Sequence, residues 1–440
     1  MQVAREKSSF DVEAHCAETA THPNFPIEVF RHPTSWPRLD KWLPTARQNA
    51  LALFPDKVLH EPCSWHSLLG KRLLILSDGD LATQFLKRPS KKAGLSNLHK
   101  RILSPAMGDG IIVNDGPEWK TLRRAGLKAA SHLKDRTNGR ENSILQKHID
   151  EWSIAEEFNL LDRIVPLSIH LLAHRLFGFD GDLPASMILH AIDQHRKIAE
   201  DYGFLDAVDA PQWITSDRTT RAKMALAPIR DFIETEISEA QLKNQQLFSQ
   251  EITVDFIINM MSGYESVAIT STWLLAHIGN EPSLKRWLMA PNISEDEFKD
   301  RLTKAIKETL RLYPPLPFIF RKAKENIKLG GFVIGKGTTV CVSPYLIHHN
   351  TLNWSEASSF DPSRFERSDN NYSCFLPYGV GARKCIGQNI GNELIFQLVK
   401  SVLRNGDLKL SKSDLPKPRA GISLRPSEPI YTKYLANAGE

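Results

Sequence analysis

Phe375-Leu-Pro-Tyr-Gly-Val-Gly-Ala-Arg-Lys-Cys-Ile-Gly387 is the stretch on which the reading of this chain turns. Gly379, Gly381 and Gly387 surround Cys385, and a helical pattern follows from Ile386 to Leu403. Glycine lets backbone amides approach a sulfur closely. A helix N-terminus, together with the neighbouring cations Arg383 and Lys384, favours thiolate over thiol. A thiolate held in this way suits a metal ligand or a nucleophile. A lone loop cysteine, by contrast, is more often a small buried hydrophobe. The rest of the chain has to decide.

Further patterns bear on it. Glu308-Thr-Leu-Arg311 sets a carboxylate and a guanidinium three apart on one helix face. Alone, that spacing describes many solvated surface pairs of little consequence. Pro362-Ser-Arg-Phe365 adds a third charged group, Arg364. Ser262-Gly-Tyr-Glu-Ser266 falls inside an apolar run predicted as one long helix over Asp255–His277. A carboxylate there is costly unless it has partners or a task, and glycine with flanking hydroxyls lets a helix bulge and admit water. Finally, Trp119-Lys-Thr-Leu-Arg123 lies on a basic amphipathic helix, and Arg321 follows Pro317-Phe-Ile-Phe320.

In this order and spacing the patterns resemble the cytochrome P450 family, over roughly residues 60 to 425. Tyr378, Gly381, Arg383, Cys385 and Gly387 match its haem-binding loop, aromatic-x-x-Gly-x-Arg-x-Cys-x-Gly, with Tyr378 standing where Phe is usual. The resemblance implies a mainly α fold with a smaller β portion: a triangular helical prism, a long central helix (253–278) over the haem, and a β-rich side region. It implies Cys385 as the axial ligand to iron, and Trp119, Arg123, Arg321 and Arg383 around the haem propionates. Glu308, Arg311 and Arg364 become a buried network that fixes the cysteine loop. Glu265 and Ser266 become the acid–alcohol pair that delivers protons, with serine where threonine is commoner. The implied cofactor is haem b, with O2 as co-substrate. NAD(P)H electrons would arrive by electron transfer from a ferredoxin or flavodoxin and its reductase.

Bulk properties set the remaining expectations. The chain has 440 residues, 41 % hydrophobic and 24 % charged, which is ordinary for a globular protein. No linker composition interrupts it, so a single domain over 1–440 is expected. A net charge of +5 without a concentrated basic stripe gives no case for nucleic acid. Lys120, Arg124, Lys128 and Lys384 suit docking of an acidic redox partner. Five cysteines without CxxC spacing argue against a disulfide framework or structural zinc, and fit a reducing cytoplasm. The opening MQVAREKSSF lacks the apolar core of a signal peptide. No run of about 18 uncharged apolar residues exists, so no membrane span is expected. His170 and His174 are four apart but lack the glutamate of a HExxH site, and His195 and His348-His349 complete no ligand set.

Pocket walls are expected from 87–110, 178–212, Phe318, Ile319 and Phe320, and the Gly421-Ile-Ser-Leu424 turn. Their side chains suit a small to medium apolar or aromatic organic substrate. The function expected is insertion of one oxygen atom from O2, by a monomer. A haem-thiolate isomerase or dehydratase is an alternative, though it would not require Glu265 and Ser266. A non-catalytic haem sensor and a cysteine-nucleophile enzyme at Cys385 are others; the last needs a histidine base, and none lies close in sequence.

Overall fold

A computed structural model of the chain describes residues 22–437, apart from 135–138, 154–155, 180, 182–183, 208, 212, 215–216, 243–253 and 367–371. The amino-terminal stretch, Cys16 and the first residue of the predicted central helix lie outside the described residues.

Apolar residues at helical spacing and β-branched runs between glycine turns segregate into two hydrophobic clusters. The larger lies among the helices and the smaller among the strands. The helices that position the site are α1 (Leu39–Gln48), α2 (Asn97–Met107), α3 (Glu118–Lys134), α4 (Leu160–Phe177), α5 (Ala185–Ala199), α6 (Val254–Met261), α7 (Gly263–Asn280), α8 (Glu295–Leu312), α9 (Pro344–His349) and α10 (Gln388–Asn405). Local chemistry sets their ends. Ser294 accepts the amide of Glu297 at the start of α8, whose first turn is acidic, and Tyr313 closes it before Pro314-Pro315.

The predicted single central helix is in fact two, α6 and α7, broken at Ser262. The Ser262 hydroxyl donates to the Asn259 carbonyl at 2.7 Å, and the Glu265 amide reaches the Ser262 carbonyl only at 3.4 Å. A side chain competing for backbone acceptors, followed by a glycine, is the physical reason for the break. Beyond it, every residue of α7 from Val267 to Ile278 is buried, and the helix packs on α4, α8 and α10.

Five strands form the main sheet: β1 (Cys63–Leu68), β2 (Lys71–Leu76), β3 (Ala93–Leu95), β4 (Ile319–Ala323) and β5 (Thr339–Val342), in the order β1-β2-β5-β4-β3. β2 and β5 run parallel with Leu74 opposite Val340, and the other pairs are antiparallel. Of the hairpins predicted over 327–342, one forms between 327–329 and 332–334, while β5 leaves it for the main sheet. Near the carboxyl end, β6 (Pro418–Ala420) and β7 (Leu424–Pro426) make a tight hairpin with Ala420 opposite Leu424. Among the described residues, no helix is long and apolar enough to cross a membrane.

Candidate active site

The cysteine loop is shaped by two glycines in the left-handed region, Gly379 (φ 64°) and Gly381 (φ 78°). A Cβ at Gly381 would lie 2.9 Å from the Leu86 carbonyl, so only glycine fits there without displacement. The loop folds back so that the Cys385 amide donates to the Tyr378 carbonyl at 2.9 Å, which sets Cys385 just before α10. Cys385 is exposed. Burial by the surrounding protein nonetheless pushes its thiol pKa up, against the Gly387 amide, Arg123 and Lys384, which act to lower it. The Tyr378 hydroxyl, the departure from the usual Phe, donates to Asn392 Oδ1 on α10.

Glu308, Arg311 and Arg364 do come together, all of them buried. Arg311 forks onto Glu308 with two bonds of 2.8 Å, while Arg364 Nε and the Asp361 amide donate to Glu308 Oε1 at 2.9 Å. The remaining N–H groups of Arg311 go to the carbonyls of His348, Ala357 and Ser359, and those of Arg364 to the carbonyls of Ser355, Glu356 and Ser359, so they anchor 348–364 rather than the cysteine loop itself. The link to the loop is His348, on α9. Its Nε2 accepts the Leu376 amide at 2.9 Å, so Nδ1 carries the proton, and it donates to the Arg311 carbonyl at 2.9 Å. Burial, with Arg311 nearby, drives this imidazole's pKa far down, which keeps the acceptor nitrogen free. In the sequence His348 stood out only as half of an incomplete metal pair.

Trp119, Arg123, Arg321 and Arg383 form one group, which faces Cys385 through Arg123. Arg383 lies over the Trp119 ring at 4.6 Å and binds the Asn114 carbonyl (2.8 Å) and Asp115 (3.0 Å). Arg123 faces Cys385. Arg321 is 9 % exposed, and its guanidinium donates to the carbonyl of its own neighbour, Phe320. Burial and the nearby Arg383 push its pKa down to about 10. Asp115, the carboxylate that meets this group, is shared with Lys324 at 2.8 Å. Burial acts to raise the Asp115 pKa, yet Lys324, Arg383 and the Leu95 amide together hold it below the usual range. Positive charge is thus in surplus in a half-buried place, which fits two propionates. His99, not singled out in the sequence, joins this group. Its Nε2 bonds to the Ile112 carbonyl at 3.1 Å, and burial with Arg321 lowers its pKa to about 4.

Glu265 lies in the first turn of α7, directly after the break. Gly263 and Ser266, three apart, are exposed there, while the helix is buried from Val267 to Ile278. Glu265 does not stand free. Ser423 donates to its Oε1 at 2.6 Å and Arg425 Nε at 3.0 Å, with a further bond from Arg425 Nη2. Burial acts to raise its pKa, but Arg425 and Ser423 hold it below the usual carboxylate range.

An apolar pocket adjoins both groups without being lined by Cys385 or Glu265. It meets the cationic group through His99, and the hairpin that grips Glu265 through Gly421 and Ile422. Phe318 and Phe320 line it, whereas Ile319 does not. Strand β4 alternates its side chains, and Ile319 turns into the sheet's cluster instead. The 87–110 stretch contributes Leu98, Ile102 and Leu103, and 178–212 contributes Tyr202 and Asp206. Trp42 and Ala46 of α1, with Leu53 and Phe54, complete the wall. Nothing in their local sequence marks them, since only the tertiary fold carries them there.

A profile of the cytochrome P450 family matches residues 206–434, just over half of the chain. The chain belongs to the cytochrome P450 family. The P450 is 24 % identical over 395 residues to the lanosterol 14-alpha demethylase of Mus musculus, covering 80 % of this chain and 76 % of that one. It is 24 % identical to cytochrome P450 4F4 of Rattus norvegicus, with 92 % of each covered. Its fold is similar to that of CYP175A1 from Thermus thermophilus, with a TM-score of 0.68 at 21 % identity, covering 90 % of this chain and 98 % of that one. A six-coordinated P450 from another strain of Thermus thermophilus gives a TM-score of 0.66 at 22 % identity, covering 85 % and 95 %. As a P450 the chain is a haem-dependent monooxygenase, using haem b, O2 and electrons that originate in NAD(P)H.

Proposed function

We propose that this P450 hydroxylates a small to medium apolar or aromatic molecule, with Cys385 as its haem ligand. The observation that carries the reading is the cysteine loop beside a surplus of half-buried guanidiniums, next to a pocket walled by Trp42, Phe54, Phe318 and Phe320. Haem, when bound, supplies the oxygen chemistry, which a thiolate ligand favours by electron donation. Cys385 Sγ is the ligand. Arg123, Arg321, Arg383 and Trp119 hold the two carboxylates of the cofactor. Glu265 and the Ser266 hydroxyl pass protons inward from the break in the central helix, where Gly263 and Ser266 are exposed. The apolar walls bind the substrate by burial and exclude water around it. Glu308, Arg311 and Arg364 are structural.

The chain works as one domain, a cytoplasmic monomer, taking electrons from an acidic ferredoxin or flavodoxin. Lys120, Arg124 and Lys128, four apart and all exposed, form the docking stripe together with exposed Lys384. The test is Cys385→Ser: the red-shifted Soret band of the reduced CO complex disappears. A variant that keeps it refutes the ligand assignment. A spin-state titration with apolar aromatics against charged sugars tests the substrate class, and a shift given by sugars alone overturns it.

A further inference from the structure

The hairpin β6–β7 touches three things at once. Gly421 and Ile422, at its turn, line the apolar pocket. Glu200, at the end of α5, binds Arg419 at 2.9 Å and packs so tightly that a Cβ on Gly421 would lie 1.9 Å from its oxygen. Ser423 and Arg425 grip Glu265 on α7, and Arg425 Nε also donates to the Ser423 hydroxyl at 3.2 Å. Every one of these donors uses Oε1, and among the described residues none takes Oε2. A glutamate normally gains rotamer freedom from its flexible chain. Here charge-assisted bonds from one arginine remove it.

We propose that Arg425 and Ser423 are positioning residues for proton delivery, holding Glu265 by Oε1 so that Oε2 exchanges the proton. This rests on Glu265 being the relay carboxylate. The charged and titratable groups facing Glu265 are Tyr264 on its own helix, His195 of α5, and Arg425 of the hairpin; His195 and Arg425 in turn face Glu200.

The experiment uses the holoprotein with ferredoxin, ferredoxin reductase and NADPH, and no added organic substrate. It reads the share of NADPH electrons ending in hydrogen peroxide rather than water, as a function of pH. Arg425→Gln raises the peroxide share and moves the pH profile alkaline by about one unit, since the buried carboxyl loses its opposing charge. Arg425→Lys restores most of both. Ser423→Ala shifts both in the same direction by less, and serves where the arginine variants fold poorly. The CO band stays in place throughout, because the cysteine loop is untouched. Glu265→Gln separates the two ideas. If it changes both readouts while Arg425→Gln and Ser423→Ala leave them at the parental values, the positioning role is wrong and the relay stands. If Glu265→Gln changes nothing, the relay itself is wrong, and the positioning role goes with it.

Discussion

Gly381 shows how much one residue contributes to the cysteine loop. Its φ of 78° and the Leu86 carbonyl 2.9 Å from any added Cβ leave no room for a side chain. Gly381→Ala should therefore cost about 1–3 kcal/mol from the left-handed backbone alone. The check is a lower urea midpoint for the holoprotein and a CO band that converts faster to the thiol-ligated position. At this scale the sequence was legible where spacing carries the information: Cys385 lies amid its glycines, and Glu308 lies one helical turn from Arg311. It was silent where the partner is remote. Asn392 as the acceptor for Tyr378, and Arg425 as the partner of Glu265 from 160 positions away, leave no mark in local sequence.

Elements transmit what single residues begin. The Glu308 network pins 348–364, and α9 passes that order to the cysteine loop through the two hydrogen bonds of His348. Glu308→Gln leaves Arg311 and Arg364 buried without their counter-charge, so a loss of about 3–5 kcal/mol is expected in equilibrium unfolding. His348→Leu strips partners from one amide and one carbonyl, worth about 1–3 kcal/mol per buried group left unpaired. If its unfolding curve overlays the parent's, His348 is not the tether. On α3, the exposed stripe of Lys120, Arg124 and Lys128 belongs to a face and not to any one residue. Reversing Lys120→Glu and Arg124→Glu together should slow reduction by ferredoxin in stopped flow, and the difference should shrink as salt screens it. Helix limits such as Glu295–Leu312 were readable because capping and proline signals are local. The break at Ser262 is not legible in the same way: glycine and flanking hydroxyls allow a bulge in one long helix, and the division into two depends on which carbonyl the serine bonds.

Over the whole molecule, buried neutral histidines tie stability to pH. His277 and His349 are pushed down to about 3, and His99 and His148 to about 4, from an ordinary 6.5, chiefly by burial. Their folded pKa lies below the unfolded one, so their contribution is fully present above pH 6.5. It is lost progressively as pH falls toward the folded values, because the unfolded chain takes up protons first. Urea midpoints should be level above neutrality and decline below it; a midpoint that holds steady down to about pH 5 would show these rings charging freely in the fold. Family, fold class and the order of the site's parts follow from the chain read as a string, because thiolate loops, helix caps and paired charges are written at short, fixed spacings. The pocket wall from α1, the turn of Ile319 into the sheet's cluster, the tether at His348 and the hairpin's grip on Glu265 came only with folding. Those contacts join residues far apart in the chain, and packing geometry alone selects which of many compatible side chains meet.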